Sequence, residues 1–229
     1  MDIQGLQKLT LLDYPGKVAC TVFFGGCNLR CPFCHNGELV TGKVPAALDD
    51  RELLDFLRRR QGLLDGVCFT GGEPLLCPGL TDLLRAVREL GYSIKLDTNG
   101  FRPEKLRELV TAGLVDYVAM DVKNCPSRYA ETAGLPSLDL APFRESLRFL
   151  LSGQVDYELR TTVVREFHDG ESLEELARWI SGARRYFLQP FVDRDTVLSP
   201  GLHPYSDAEM KKLLTRVKAV LPVTELRGI

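Results

Sequence analysis

The chain has 229 residues, of which 45% are hydrophobic and 26% are charged. Its 29 basic and 31 acidic residues leave a formal net charge of −2. These values are ordinary for a globular protein and exclude an intrinsically disordered chain, which would show low hydrophobicity and a large net charge. A net charge near zero gives no general attraction to nucleic acid or to an anionic membrane, so we expect neither as a partner.

The cellular compartment follows from what the sequence lacks. No apolar run approaches the roughly 20 residues that a transmembrane helix needs. The first ten residues contain no basic region followed by an apolar stretch, so we predict no signal peptide and a cytoplasmic protein. The chain has seven cysteines, and an odd number without a secretion signal is not typical of a disulfide framework. We therefore expect reduced thiols.

Short β-rich runs alternate with helical patterns along the chain, without an internal repeat or a long linker. The predicted strands are Val18–Phe24, Gly66–Thr70, Ser93–Thr98, Val115–Val122, Asp156–Val164 and Arg185–Gln189, with a short last strand at Val223–Arg227. The predicted helices are Asp49–Arg60, Leu80–Leu90, Pro103–Ala112, Pro142–Leu151, Leu173–Ile180 and Asp207–Val220. Capping-box patterns predict three of the helix starts, at Asp49 with Glu52, Ser172 with Glu175 and Ser206 with Glu209.

About six β-then-α units predict one domain over residues 1–229, with parallel strands and helices outside them. Six units fall short of the eight of a closed barrel. The pattern therefore favours a partial, open parallel β/α barrel, with a doubly wound flat sheet as the alternative. In both folds, ligands bind at the C-terminal ends of the strands.

Three cysteines lie in one loop directly after the first predicted strand: Cys27, Cys31 and Cys34. Thiolates at this spacing can surround one small centre, and soft thiolates select zinc or iron–sulfur clusters. A structural zinc site normally has four ligands, but His35 is adjacent to Cys34 and Cys20 lies on the strand. A [4Fe-4S] cluster with one open iron fits best, and the alternatives are zinc or buried cysteines that are merely close together.

The spacing C-x3-C-x2-C, with the aromatic Phe33 before the last cysteine, resembles the signature of the radical S-adenosylmethionine (SAM) superfamily. The resemblance implies that Cys27, Cys31 and Cys34 each bind one iron of a [4Fe-4S] cluster. It implies that the fourth iron takes the amino and carboxylate groups of S-adenosylmethionine, and that Phe33 packs against the adenine. For Phe33, a plain core aromatic is the alternative interpretation.

Segments that end the next predicted strands resemble cofactor-binding pieces of the same superfamily. Thr70-Gly71-Gly72-Glu73-Pro74 resembles the segment that holds the methionine amino group, and two glycines allow a close backbone approach. Asp97-Thr98-Asn99-Gly100 and Asp121-Val122-Lys123 resemble pieces of glycyl-radical activating enzymes. Taken by themselves, the three segments are also typical of ordinary turns and solvated strand ends.

The resemblance implies a role for each strand-end residue. The implied cofactor contacts are Gly71, Gly72 and Glu73 for the amino group, and Thr98, Asp121 and Lys123 for the carboxylate end. The implied ligands of a monovalent cation, a further cofactor, are Asp97, Thr98 and Asp121. At the end of the fifth strand, Arg160, Thr161 and Arg165 are weaker candidates for a cofactor contact.

Before the first strand, the segment Leu12-Asp13-Tyr14-Pro15-Gly16-Lys17 has the residues of a β-turn. It resembles the Val-Asp-x-Pro-Gly segment of the same activating enzymes, and with His35-Asn36 the similarity is greatest to activating proteins of anaerobic ribonucleoside-triphosphate reductase. Asp13 is predicted to bind the partner protein, with capping of its own turn as the alternative.

The resemblance implies a radical SAM oxidoreductase. It would take an electron from a low-potential donor such as flavodoxin or ferredoxin, generate a 5′-deoxyadenosyl radical and form a glycyl radical on a partner enzyme, predicted to be the anaerobic reductase. Other glycyl radical enzymes, a small-molecule substrate and a non-catalytic zinc-binding module are the alternatives. Pyruvate formate-lyase is disfavoured as the partner because Val192 stands where its activating enzyme carries a histidine.

The remaining cysteines and histidines are predicted to be structural. The spacings of Cys68, Cys77 and Cys125 are irregular, so buried thiols are favoured over a second cluster. His168 and His203 are predicted to be loop residues.

Overall fold

A computed structural model describes residues 2–41 and 44–228, in which short strands alternate with helices. The strands are β1 (Asp2–Ile3), β2 (Gly5–Thr10), β3 (Ala19–Phe24), β4 (Leu48–Asp49), β5 (Gly66–Gly71), β6 (Ser93–Thr98), β7 (Tyr117–Asp121), β8 (Asp156–Val163), β9 (Tyr186–Pro190) and β10 (Thr224–Leu226). The α-helices are α1 (Gly37–Val40), α2 (Asp50–Arg58), α3 (Leu80–Glu89), α4 (Pro103–Thr111), α5 (Tyr129–Thr132), α6 (Ala141–Leu151), α7 (Gly170–Trp179) and α8 (Asp207–Val220). Among these residues, no helix combines the length and the apolar character needed to cross a bilayer.

Eight of the strands form one sheet in the order β10-β9-β8-β7-β6-β5-β3-β2. All neighbours from β3 to β10 are parallel, and β2 is antiparallel to β3 at the edge. In the described part of the chain the two edge strands, β2 and β10, do not pair, so the sheet is open. The short β1 and β4 pair separately.

Contacts between loops that follow distant strands show that the sheet is curved. The backbone N–H of Leu198, after β9, donates to the carbonyl of Cys34, after β3, at 3.1 Å, and the Ser199 N–H donates to the Pro32 carbonyl at 2.9 Å. Four strands lie between β3 and β9, so in a flat sheet these strands would be about 24 Å apart. The partial, open parallel β/α barrel predicted from the sequence is therefore confirmed, and the flat-sheet alternative is wrong.

The predicted parallel strands are all present, with ends that differ by at most two residues. The elements that were not predicted from the sequence are the strand β2, the two-residue strands β1 and β4, and short helices such as α1 and α5. Along β2 the burial pattern shows no alternation of buried and exposed residues, so the period-two signal of a half-buried strand is absent. The helices α1 and α5 have four residues each, too few for a helical period to be visible.

An aromatic cluster joins the helices on one side of the barrel. The ring of Phe143 on α6 lies 5.2 Å from that of Tyr129 on α5 and 5.1 Å from that of Trp179 on α7, measured between centroids. Phe101, which follows β6, packs against the same Phe143 ring at 5.7 Å. These tilted contacts hold three helices and one strand-end turn at fixed positions.

The start of α7 differs from the prediction. The helix begins at Gly170, and Asp169 is its N-cap: the Asp169 Oδ1 accepts a hydrogen bond from the Ser172 N–H at 2.8 Å, and the Ser172 hydroxyl accepts one from the Asp169 N–H at 3.0 Å. Glu175 instead accepts a hydrogen bond from the Ser127 hydroxyl at 3.2 Å. The predicted pair of Ser172 and Glu175 was wrong because Asp169, an equally good cap, lies one turn earlier. The boxes at Asp49 and Ser206 are confirmed.

Replacing Asp169 with Ala is expected to lower the free energy of unfolding by about 1 kcal/mol, because the replacement removes the cap of α7. The exposed pair of Asp169 with Arg128 adds less than about 1 kcal/mol. Glu175→Ala is the matched control and should cost less than about 0.5 kcal/mol. Urea unfolding followed by circular dichroism measures both variants, and a larger loss in Glu175→Ala would contradict this assignment of the cap.

Candidate active site

The carboxyl ends of the parallel strands surround a cleft of about 390 Å³. Most of the residues singled out in the sequence line it: Asp13, Cys27, Cys31, Phe33, Cys34, Gly71, Gly72, Asp97, Thr98, Asp121 and Lys123. Glu73 lies beneath this lining rather than on it. Further residues that line the cleft are Asn36, Asn99, Arg160, Thr162 and Gln189. Of these five residues, Arg160 alone is predicted from the sequence as a cofactor contact.

Hydrogen-bond donors surround the sulfur of Cys27. The Leu29 N–H donates to it at 3.4 Å and the Asn99 side-chain amide at 3.6 Å. Burial raises the pKa of the Cys31 thiol to about 12 and raises those of Cys27 and Cys34, while the nearby Lys123 ammonium acts in the opposite direction. A metal centre bound by these thiols as thiolates would therefore release protons as it binds.

Two glycines allow the cysteine loop to approach the loop after β5. The Gly26 carbonyl accepts a hydrogen bond from the Glu73 N–H at 2.8 Å. A Cβ atom on Gly72 would lie only 1.9 Å from that carbonyl oxygen, so no side chain fits at position 72. The Asn36 side-chain amide donates to the Gly71 carbonyl at 2.9 Å and makes a second link between the two loops.

Glu73 is almost fully buried and is bonded to the protein around it. Its carboxylate accepts hydrogen bonds from the Thr98 hydroxyl at 2.8 Å, from the Asn99 N–H at 2.7 Å and from the Leu75 N–H at 3.1 Å. Burial raises the pKa of Glu73 to about 7, against the opposing effect of these donors. These hydrogen bonds connect Glu73 with the turn that follows β6.

Five charged side chains form a continuous row across the ends of β6, β7 and β8, which we call the charged row: Lys95, Asp97, Arg160, Asp121 and Lys123. Lys95 Nζ donates to Asp97 Oδ1. The Arg160 guanidinium lies between the two carboxylates, with Nη1 3.3 Å from Asp97 Oδ2 and Nε 2.9 Å from Asp121 Oδ1. Lys123 Nζ is 3.0 Å from Asp121 Oδ2 and ends the row.

Both carboxylates of the charged row stay ionised although they are partly withdrawn from solvent, with side chains 14% and 32% exposed. Burial alone would raise the pKa of Asp121. The opposing effect of Arg160 and Lys123 is larger and lowers this pKa to about 2. The pKa of Asp97 is likewise lowered, because the effects of Arg160 and Lys95 exceed that of burial. All four carboxylate oxygens are thus paired with cationic side chains, and this arrangement does not fit the monovalent cation that the resemblance implies.

His168 holds the backbone of Lys123 in place. Its Nδ1 accepts a hydrogen bond from the Val164 N–H at 3.1 Å, so Nε2 carries the proton and donates to the Lys123 carbonyl at 2.7 Å. Burial lowers the pKa of His168 to about 4, so the ring is neutral at pH 7. The Lys123 ammonium lies 5.9 Å from the centroid of the Phe33 ring, on the wall of the cleft.

Asp13 lines the cleft, and its carboxylate accepts a hydrogen bond from the Thr21 hydroxyl of β3 at 2.5 Å. The Thr10 hydroxyl, and not the Asp13 side chain, accepts hydrogen bonds from the N–H groups of Leu12 and Asp13, both at 3.2 Å. At the end of β8, Arg160 reaches the cleft, whereas the Thr161 hydroxyl donates to the Val122 carbonyl.

A family model of the Radical SAM superfamily matches residues 21–181. The chain belongs to the radical SAM superfamily. This radical SAM enzyme therefore uses a [4Fe-4S] cluster and S-adenosylmethionine for radical-based oxidoreduction, as predicted.

Three relatives show the range of proteins to which this radical SAM enzyme is similar. A Methanocaldococcus jannaschii protein named as a glycyl-radical enzyme activating enzyme is 31% identical over an alignment of 221 positions that covers 92% of this chain and 85% of the relative. The pyruvate formate-lyase-activating enzyme of Clostridium pasteurianum is 35% identical over 127 residues, covering 53% of this chain and 52% of its own. The 7-carboxy-7-deazaguanine synthase of Methanopyrus kandleri is 30% identical over 213 residues, covering 83% and 78%.

The fold has solved counterparts. Streptococcus suis SuiB bound to S-adenosylmethionine superposes with a TM-score of 0.70 at 16% identity, covering 91% of this chain and 52% of SuiB. At this identity the similarity concerns the fold alone, and it agrees with the partial barrel described above.

Replacing Gly72 with Ala is expected to impair cluster assembly, because the new methyl group would displace the Gly26 carbonyl and with it the cysteine loop. Gly5→Ala is the matched control, since its Cβ would meet the Phe23 side chain at an ordinary 3.4 Å. Iron and sulfide content after anaerobic reconstitution measures the effect. Equal cluster content in the two variants would contradict the close contact between the loops.

Proposed function

We propose that this radical SAM enzyme activates a glycyl radical enzyme by forming a radical on a backbone glycine of that partner protein. The observation that carries the proposal is the 31% identity, over most of both chains, to the M. jannaschii protein named as a glycyl-radical enzyme activating enzyme. The strand-end segments Asp97-Thr98-Asn99-Gly100 and Asp121-Val122-Lys123 support it, because they resemble those of the same class of enzymes and line one cleft.

In this proposal the thiolates of Cys27, Cys31 and Cys34 each bind one iron. The Leu29 N–H and the Asn99 amide donate to the Cys27 sulfur and stabilise its thiolate form. When bound, the cluster and S-adenosylmethionine supply the one-electron cleavage of the sulfonium, which gives methionine and the 5′-deoxyadenosyl radical that removes a hydrogen atom from the glycine Cα. The protein residues orient these groups and exclude water.

The cleft offers matched groups for each part of S-adenosylmethionine. The backbone of Gly71 and Gly72 borders the position proposed for the methionine amino group, and Phe33 provides an apolar ring for the adenine. The Lys123 ammonium is assigned to the carboxylate, whereas the Thr98 hydroxyl donates its proton to Glu73. Asp121 holds the Lys123 ammonium in place through their ion pair. It also keeps Lys123 charged, because its carboxylate raises the pKa of the ammonium by more than burial lowers it.

The partner proposed is anaerobic ribonucleoside-triphosphate reductase, with flavodoxin or ferredoxin as the electron donor. The support is the similarity of the segment from Leu12 to Lys17, together with His35-Asn36, to activating proteins of that reductase. Asp13 is assigned to partner binding, since its carboxylate faces the cleft in which the glycine must lie. An open barrel leaves a lateral path for an extended peptide, whereas a closed barrel is filled by its own side chains.

A small-molecule substrate is the second candidate. The specific observation in its favour is the 30% identity to the M. kandleri 7-carboxy-7-deazaguanine synthase over 83% of this chain. The two candidates share the cluster and the cofactor and differ only in what receives the radical.

Cys31→Ala should abolish the [4Fe-4S] cluster, since the variant retains only two of the three thiolate ligands. Cys20→Ala is the matched control, because Cys20 is also buried but lies on β3 outside the cleft lining. Iron and sulfide analysis and the low-temperature electron paramagnetic resonance spectrum of the reduced protein provide the measurement. Full cluster content in Cys31→Ala would disprove the ligand assignment.

Mixing the reduced enzyme with S-adenosylmethionine and the anaerobic reductase of the source organism should give a glycyl doublet in the electron paramagnetic resonance spectrum. The doublet should require the cofactor and be absent with Cys31→Ala. Loss of the doublet in Asp13→Ala, with cofactor cleavage intact, would support partner binding by Asp13. Absence of a doublet on any glycyl radical enzyme of that organism, together with turnover of a small molecule, would favour the second candidate.

A further inference from the structure

We infer that the Lys95 ammonium and the Arg160 guanidinium already compensate the charges of Asp97 and Asp121, so that this enzyme binds S-adenosylmethionine without a monovalent metal cation. The inference rests on the proposed cofactor site. It starts from the disagreement between the expected ligands, Asp97, Thr98 and Asp121, and the contacts that these residues make.

Lys95 is the first of the two cationic groups. It lies on β6 two residues before Asp97, so both side chains point to the same face of the sheet. Its side chain is only 1% exposed, and Nζ donates to the Asp97 carboxylate and lies 3.7 Å from the Cys68 sulfur. A buried ammonium is costly unless a carboxylate compensates it, and Asp97 provides that compensation. The result is a cation that is tethered to the chain and paired with one of the two expected carboxylate ligands.

Arg160 occupies the space between the two expected carboxylate ligands. It contacts Asp97 through Nη1 and Asp121 through Nε, and all three side chains are largely buried. A sodium or potassium ion that bridged Asp97 and Asp121 would have to displace this guanidinium from both. The planar fork of arginine suits such a bridge better than a spherical ion of the same charge.

The hydroxyl of Thr98, the third expected ligand, is also engaged. It donates to Glu73 at 2.8 Å and accepts a hydrogen bond from the Gly100 N–H at 3.1 Å.

The charge balance of the charged row supports the same conclusion. The row contains three cationic side chains and two carboxylates, so it already carries an excess of one positive charge. The carboxylate group of S-adenosylmethionine, considered apart from its ammonium and sulfonium groups, complements that excess. A metal ion would add a fourth positive charge against the same two aspartates, which is unfavourable in a buried site.

The test measures the affinity of the cluster-loaded enzyme for S-adenosylmethionine by equilibrium dialysis. Buffers contain tetramethylammonium, sodium, potassium or ammonium as the only added cation, at equal ionic strength. Tetramethylammonium is too large to enter a metal site, and oxygen ligands coordinate it poorly. The wild-type affinity should change less than about twofold among these buffers. A saturable requirement for sodium or potassium would overturn the inference.

Lys95→Met removes the tethered cation and keeps the volume of the side chain. In tetramethylammonium this variant should bind S-adenosylmethionine about tenfold more weakly, and potassium or ammonium should restore binding by pairing with the Asp97 oxygen that the lost ammonium leaves free. Unchanged affinity in Lys95→Met would overturn the inference. Lys105→Met is the matched control, because Lys105 is a half-buried lysine of α4 that pairs with Glu108 away from the cleft.

Thermal unfolding of the cluster-free proteins gives a readout that does not depend on the cofactor. The wild-type midpoint should be equal in potassium and tetramethylammonium, and that of Lys95→Met should rise in potassium. A rise in the wild type would contradict the inference, and if Lys95→Met does not fold, the wild-type measurements decide alone. Cation-independent binding without a glycyl radical on any partner would leave the inference standing and reject the proposed function.

Discussion

One buried residue, Glu73, connects the three loops from which the active site is built. Its N–H donates to Gly26 of the cysteine loop, and its carboxylate accepts hydrogen bonds from Thr98 and Asn99 after β6. Asn99 in turn donates to the sulfur of Cys27. The position of a cluster ligand is thus determined through a short chain of hydrogen bonds that begins at a single carboxylate. Because three of these hydrogen bonds share Glu73, a shift of that residue would disturb all three at once. The positions of the three loops are therefore expected to be strongly coupled.

The regular part of the fold could be predicted from the sequence because it depends on local patterns. The strand Gly66–Gly71 is visible as a short continuous apolar run, and the helix Leu80–Glu89 is visible from its amphipathic period. The order of the sheet follows from the alternation of strands and helices. The edge strand Gly5–Thr10 and the cap at Asp169 could not be predicted, since the first lacks alternation and the second competes with an equally good local signal.

The candidate site was predictable to the extent that parallel strands bring their carboxyl ends together. Cys27, Thr98 and Lys123 are far apart in sequence, yet they line one cleft. The charged row was not predictable, because a lysine or arginine on a strand is usually exposed. Only the register of β6, β7 and β8 shows that Arg160 lies between Asp97 and Asp121 while Lys95 pairs with Asp97.

The contact between the cysteine loop and the loop after β9 has a consequence for the order in which the protein folds. A ring nitrogen of His35 donates to the Val192 carbonyl at 2.7 Å, and these residues are 157 positions apart in the chain. Contacts of such long range form late, because the entropy of closing the intervening chain must first be offset by other contacts. The cysteine loop therefore reaches its final shape only after nearly all of the sheet has assembled. Synthesis of the first forty residues is not enough to form the cluster-binding loop, although all three of its cysteines are already present.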